Sequence, residues 1–265
     1  MSLKRNIFAN YASQIYVTLI GIVMLPFYLQ YMGSEGYGLV GFFAMLQAWF
    51  LLLDMGLTPT MARETARFQG GGTDSLNLRL LLRSLEVIFV LVALLGGAGL
   101  ILGADFIAGH WLKLEQLKRS EVANAIRIMA LLMMLRWVGE LYRGIITGFE
   151  RMVWLGGFSS AIATVRFVLV IPLFIWIGSS ISAFFLFQLC ISALETLILT
   201  RKAYALLPAV PTGASRWSWT PLRNTMEFSL VMAIASLVWV TVSQADKLLL
   251  SGLLSLADYG WFSLT

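Results

Sequence analysis

The chain has little of what soluble enzymes rely on. Its 265 residues include one cysteine, Cys190, and one histidine, His110. No metal-ligand cluster, disulfide framework or Cys/His nucleophile pair can be built from that stock. His110 reads as an interfacial side chain, and Cys190 as a small residue facing lipid or another helix. No Gly-rich loop of the phosphate-gripping P-loop pattern occurs, which argues against an ATP motor. Gly70-Gly71-Gly72 has no strand before it and reads as a turn. Charged residues make up only 12% of the chain. No metal, cofactor or catalytic residue is expected, and the chain reads as a non-enzyme.

What it has is apolar length. The sequence is 59% hydrophobic, and a spanning helix needs about 20 mainly apolar residues. Seven stretches qualify: Ile7–Met32, Leu39–Ala62, Leu81–Gly103, Ala125–Thr147, Leu155–Ile177, Ile181–Leu199 and Thr225–Leu250. An eighth begins where the sequence ends. Only helices and closed barrels satisfy every backbone group in hydrocarbon, and these runs are too long and too uniform for barrel strands. The predicted fold class is therefore an all-α integral membrane protein, a polytopic helical bundle. Lys4-Arg5 resembles the basic start of a signal peptide. The apolar run behind it is too long and has no small-residue cleavage site, so it is read as a retained span.

Basic residues favour cytoplasmic loops. With the N-terminus inside, that face receives Lys4, Arg5, Arg63, Arg67, Arg79, Arg151, Arg201, Lys202, Arg216 and Arg223. The other face receives Lys113, Lys118, Arg119 and Arg127. The formal charge of +5 is then a membrane-edge rim, and no nucleic-acid partner is implied. On the outer face, 104–124 interleaves apolar and charged residues and predicts a short interfacial amphipathic helix. On the inner face, 206–224 carries Pro208, Pro211, Gly213, Trp217, Trp219 and Pro221 and predicts a linker.

Ionisable residues inside spans cost about 2.5–3.5 kcal/mol each on insertion scales, so they must meet partners or a wet cavity. They are Asp54, Glu86, Arg136, Glu140, Arg166, Glu195 and the pair Asp246-Lys247. Arg166 and Glu195 share a depth on antiparallel neighbours, and Arg136 and Glu140 are one turn apart with Arg143 continuing that face. Glu86 lies one turn from Arg83. Two readings stand side by side: buried ion pairs that fix helix register, or a hydrated, cation-lined vestibule for an anionic substrate. On the first span Asn6, Asn10, Gln14 and Thr18 recur every fourth residue, a polar stripe that belongs against protein or cavity. Pro26 farther along predicts a kink.

A weak repeat adds to this. Gly33-Ser34-Glu35-Gly36-Tyr37-Gly38 follows the first span, and Ser255-Leu256-Ala257-Asp258-Tyr259-Gly260 follows the seventh. Both place an acid shortly before Tyr-Gly, and both preceding helices carry an Asn near their entry, Asn6 and Asn224. Repeats in the same orientation imply a pseudo-two-fold axis along the membrane normal. The expected organisation is a six-helix lobe over 1–205, a cytoplasmic linker over 206–224, and a truncated second lobe starting at 225–265.

The Asn-rich first span, Pro26 and Met32-Gly33-Ser34-Glu35-Gly36-Tyr37-Gly38 together resemble the start of the polysaccharide-transport family. These are Wzx-type flippases of lipid-linked oligosaccharides (O-antigen units among them), within the multidrug/oligosaccharidyl-lipid/polysaccharide exporter superfamily. Asp54-Met55-Gly56-Leu57 with Ala62-Arg63-Glu64, the turn Gly148-Phe149-Glu150-Arg151, and Gln244-Ala245-Asp246-Lys247 with Asp258-Tyr259-Gly260 are similar to it as well. The resemblance implies twelve to fourteen helices in two lobes, alternating access, and a polyprenyl-pyrophosphate sugar chain carried to the outer leaflet of the inner membrane. It implies cavity arginines on the headgroup, for which Arg136 and Arg166 are the candidates. Asn10 and Gln14 are the candidates for hydrogen bonds to sugar or phosphate. Asp54, Glu140 and Asp246 are candidates for coupling to sodium or protons, with Glu86 and Glu195 as structural ion pairs. A cation antiporter of the same superfamily would want a more acidic, aromatic cavity. A membrane glycosyltransferase or polymerase would want a larger outer loop than 104–124.

The Lys/Arg asymmetry predicts that a cysteine at Ser215, in a Cys190→Ala background, labels only from the inside and one at Ser34 only from the outside. Labelling of Ser215 on intact cells would reject this orientation.

Overall fold

The computed structural model describes residues 3–178, 180–209 and 218–263, with the side chains of Leu3, Ile177 and Asn224 left aside. Arg216, Ser215, Trp217, Pro211 and Gly213 of the expected linker lie outside the described residues. Every element longer than an isolated bridge is helical: α1 (Leu3–Phe50), α2 (Leu57–Gln69), α3 (Ser75–Phe106), α4 (Arg119–Gly148), α5 (Met152–Val168), α6 (Val170–Ile177), α7 (Ile181–Leu206), α8 (Thr220–Leu253) and α9 (Leu256–Phe262). Among the described residues six stretches are long and apolar enough to cross a membrane, the first of them the 51 residues Lys4–Asp54. At about 1.5 Å per residue that stretch is long enough for two passes. The chain is an all-α polytopic membrane protein.

α1 makes its two passes by breaking at Gly33 (φ 73°, ψ 174°). Asn6 donates to the Glu150 carbonyl at one end of the bundle. Tyr31 stacks on Phe174 near the other end, and Gln47 has returned to the depth of Arg136. The expected kink at Pro26 is not where the helix yields. Backbone angles stay helical past Pro26, and the left-handed φ that glycine tolerates makes the reversal at Gly33.

Two other expectations are corrected. The second span, predicted as continuous over Leu39–Ala62, is a broken helix. Leu51–Asp54 tightens into a 3-10 turn, Met55 and Gly56 take φ of 47° and 71°, and α2 restarts at Leu57. α8 crosses over the break: a Cβ on Gly56 would meet the Ser229 carbonyl at 2.5 Å, and Thr60 bonds the Ser229 hydroxyl at 2.6 Å. The fifth span stands as one stretch, Met152–Trp176, interrupted only at Leu169 between α5 and α6, where Pro172 has no N–H for the Val168 carbonyl. The amphipathic helix expected in 104–124 is absent. α3 runs on through a π turn at Ile107–Trp111, and 112–118 is irregular. That loop is held by the buried carboxylate of Glu35, which accepts from the backbone N–H of Glu115, Gln116 and Leu117 at 2.9, 2.8 and 3.0 Å. Three backbone bonds leave the loop no need of a helix of its own.

α4 is the axis of the bundle, packed along α3 on one side and α7 on the other. Two apolar clusters meet along it. The first gathers Met24, Phe42, Phe43, Ile126, Met129, Phe184 and Phe185. The second gathers Met61, Leu81, Leu85, Phe89, Trp137, Leu141 and Leu199. On α7 the stretch between the clusters holds buried Gln188, Ser192 and Glu195. Polar groups thus fill a gap between two apolar clusters.

The two Tyr-Gly motifs touch each other. A Cβ on Gly38 would run into the Leu256 carbonyl, and one on Gly260 would meet the Ser34 carbonyl at 2.6 Å. The residue shift that carries Gly38 to Gly260 also carries Ser34 to Leu256 and Gly41 to Ser263, and Gly41 faces Ser263. The contact is isologous, as a local two-fold demands.

Gly38→Ala should lower the melting temperature of the purified protein, since a methyl group there displaces backbone; overpacking of this kind costs about 1–3 kcal/mol. Gly99→Ala, where nothing lies within 4 Å of the added carbon, should leave it unchanged or raise it. Equal melting of Gly38→Ala and wild type would remove the close-approach argument.

Candidate functional site

The buried polar residues on α7, at intervals of four and three, share one helical face. That face meets α4, which supplies Arg136, Glu140 and Arg143 from its own i, i+4 and i+3 spacing. α5 adds Arg166 and Ser159, and the first pass of α1 adds its polar stripe. Gly156 lets α5 approach α1 closely, since a Cβ there would meet the Ala9 carbonyl at 2.9 Å.

Glu195 sits at the centre. One carboxylate oxygen accepts from Arg143 and the other from Arg166, with the Glu195 side chain only 8% exposed. Arg143 also reaches Glu140 at 3.3 Å and the Ser159 hydroxyl at 3.0 Å. Sharing one carboxylate between two guanidinium groups takes one Nη2 from each and ties three helices together at one depth. The Nε of Arg166 is buried without a partner among the described residues.

Arg136 behaves differently. Glu140, one turn away on α4, turns to Arg143, and Arg136 makes no ion pair among the described residues. Its Nε donates to Ser192 at 3.2 Å, its Nη1 to Gln47 at 2.8 Å, and its Nη2 to Gln188 at 3.4 Å. The guanidinium also lies 5.3 Å from the centre of the Phe43 ring.

These groups line adjoining cavities. One of about 470 Å³ is walled by Asn10, Ser13, Gln14, Arg143, Arg166 and Glu195. A second of about 190 Å³ shares Arg143, Arg166 and Glu195 with it and adds Gln47, Arg136 and Glu140. A third of about 300 Å³ continues from Gln47, Arg136 and Glu140 to Phe50, Leu51 and Trp137. A polar path therefore leads from the stripe on α1 to the α4 arginine, through an otherwise apolar bundle.

Not every sequence-predicted residue joins it. Asn6 is buried at the end of the stripe against Glu150. Asp54 caps α2, accepting from the Thr58 hydroxyl at 2.6 Å and from its N–H at 3.2 Å. Asp246 is exposed on α8 and accepts from the Lys247 N–H. Glu86 forms a separate cluster, bonded to Tyr142, Tyr204 and Arg83 at 3.1, 2.5 and 3.3 Å. Sequence reasoning passed over Gln47, Gln188 and Ser192. Gln188, Ser192 and Glu195 form a polar stripe like the one read on the first span, and the same periodicity argument would have found them.

The family described as polysaccharide biosynthesis protein matches residues 3–265 of the chain. Comparison with curated proteins and with solved structures returns no match.

Removing Glu195 leaves Arg166 without an ion pair among the described residues and Arg143 with Glu140 alone, whereas removing Arg166 leaves Glu195 with Arg143. Breaking a buried pair costs about 3–5 kcal/mol, so Glu195→Ala should melt well below Arg166→Ala, and the double variant should recover part of the loss. Thermal unfolding of the three purified variants measures this. A double variant no more stable than Glu195→Ala would show that the cluster is not held by pairing.

Proposed function

The chain belongs to the polysaccharide biosynthesis protein family, and from that premise we propose that it acts as a flippase for a lipid-linked oligosaccharide, a polyprenyl-pyrophosphate sugar. The observation that carries this reading is the arginine-lined polar cavity between two apolar clusters. Three arginines, Arg136, Arg143 and Arg166, face two carboxylates, Glu140 and Glu195, and Arg136 is the one that forms no ion pair among the described residues. In a low-dielectric surround that excess favours a di-anionic headgroup and disfavours a cationic substrate. The unpartnered Nε of Arg166 and the free amides of Asn10 and Gln14 give phosphate or sugar oxygens something to bind. The protein does this work without a catalytic residue, as a carrier and not an enzyme.

The Lys/Arg asymmetry puts the N-terminus on the cytoplasmic side, which sets the cavity residues Asn10 and Gln14 on the first pass nearer that side than Glu35 and the loop it holds. This arrangement supports loading from within. The isologous Gly38–Gly260 contact supports a two-lobe organisation, with α8 and α9 opening the second lobe and alternating access occurring between lobes. Among the carboxylates proposed for ion coupling, Glu140 is half exposed to the cavity and is the best placed. Asp54 and Asp246 lie apart from it.

Arg136→Ala should abolish surface-polysaccharide export in cells whose own copy is deleted, while membrane levels of the protein stay near normal. Arg136→Lys, which keeps charge but loses the planar fork, should retain a fraction of export. Normal export from Arg136→Ala would remove this residue from substrate binding.

A further inference from the structure

The ligands of Arg136 are as informative as the residue itself. Three of its five N–H donors go to oxygens of Gln47, Gln188 and Ser192, and all three oxygens are neutral. Gln188 and Ser192 are buried, 4% and 0% exposed, and come from α7. Gln47 comes from the returning pass of α1, so the guanidinium is gripped from two sides. Carboxylates are at hand, since Glu140 is one turn away and lines the same cavity and Glu195 is one turn from Ser192. Both are already engaged by Arg143. An arginine inside a membrane bundle would ordinarily be neutralised by the nearest acid. Here the acids are drawn off and amides take their place.

We propose that Gln47, Gln188 and Ser192 are positioning residues that hold Arg136 rigid while leaving its charge uncompensated, so that the cavity selects an anionic headgroup. This rests on the flippase reading above and names how that site obtains its charge selectivity. A neutral cradle satisfies the donors without cancelling the field. The two N–H groups left over point to a bidentate contact with a phosphate. An acid at either amide position would satisfy the same hydrogen bonds and cancel the charge. The cradle therefore predicts that Gln-to-Glu, the closest replacement in shape, is the harmful one, and that Gln-to-Met is the mild one.

The test measures binding of farnesyl pyrophosphate, a short isoprenoid probe, to the full chain in lipid nanodiscs by quenching of tryptophan fluorescence, with melting temperature read in parallel. Gln188→Glu should weaken probe binding at least tenfold while melting as high as wild type or higher, because it adds an ion pair. Gln188→Met should bind the probe clearly better than Gln188→Glu, because it removes one long hydrogen bond to the guanidinium, 3.4 Å in the structure, without cancelling the charge. Gln47→Glu repeats the test from α1, and decides the matter should the buried α7 variant not fold. The inference is overturned if both Glu variants bind the probe like wild type, or if Gln188→Met loses as much as Gln188→Glu, which would make the amide's packing and not its neutrality the operative property. The control is Arg136→Ala. If it loses the probe while the Glu variants keep it, the cradle idea fails and the headgroup reading stands. If Arg136→Ala also binds normally, the headgroup reading itself is what fails.

Discussion

The double engagement of Glu195 is the interaction around which the rest of the interior is arranged. A carboxylate this deep in an apolar bundle is tolerable only when neutralised, and a guanidinium has the same need. One Glu195 serves Arg143 from α4 and Arg166 from α5, so three helices are pinned to a common depth by groups that could not be stranded singly. Arg143 also takes Glu140. With both acids occupied, Arg136 is left to the amides. The cavity exists because these side chains cannot pack as densely as the apolar clusters on either side, and its net charge follows from how the acids were allotted.

Breaks in the helices position that cluster. Gly33 turns the chain back so that Gln47 returns to the depth of Arg136. Met55 and Gly56 interrupt the second pass where α8 crosses, and Asp54 satisfies the freed N–H of Thr58. Irregular backbone at membrane depth is stable only where protein covers it, and α8 is the cover. At the far end the Glu35 carboxylate gathers three loop N–H groups. The same loop reaches the α8–α9 junction, with Lys113 on the Leu253 carbonyl at 2.6 Å and Trp111 on Ser251 at 3.1 Å. The motif Gly33-Ser34-Glu35-Gly36-Tyr37-Gly38 thus combines a reversal, a loop clasp and a close helix contact in six residues.

The spans were legible because hydropathy over 20 residues is a strong signal that little else imitates. α3, α4 and α8 extend the predicted runs at both ends and α7 at its C-terminal end, since polar flanking residues continue a helix beyond the apolar part. The breaks were harder to see. Pro26 looked like the obvious hinge, yet a proline in a helix disturbs one hydrogen bond, whereas Gly33 has a left-handed φ that no local rule anticipates. Gly56 is read correctly only once α8 is known to lie over it. In the cluster, depth matching was enough to bring Arg166 to Glu195. The i, i+4 spacing of Arg136 and Glu140 did not decide which arginine takes the acid, because spacing along one helix cannot register that Arg143, on the same face, competes for it.

That competition separates an arginine that holds structure from one free to act. Arg143 and Arg166 lie 23% and 19% exposed and paired, and each secures a helix at the cost of most of its field. Arg136 is fixed as firmly by neutral oxygens, and its field remains. A carboxylate at position 47 or 188 would pair Arg136 and cancel its charge, at the desolvation cost that a further buried acid carries. With amides at both positions the site keeps a positive charge, which the proposed anionic headgroup would complete.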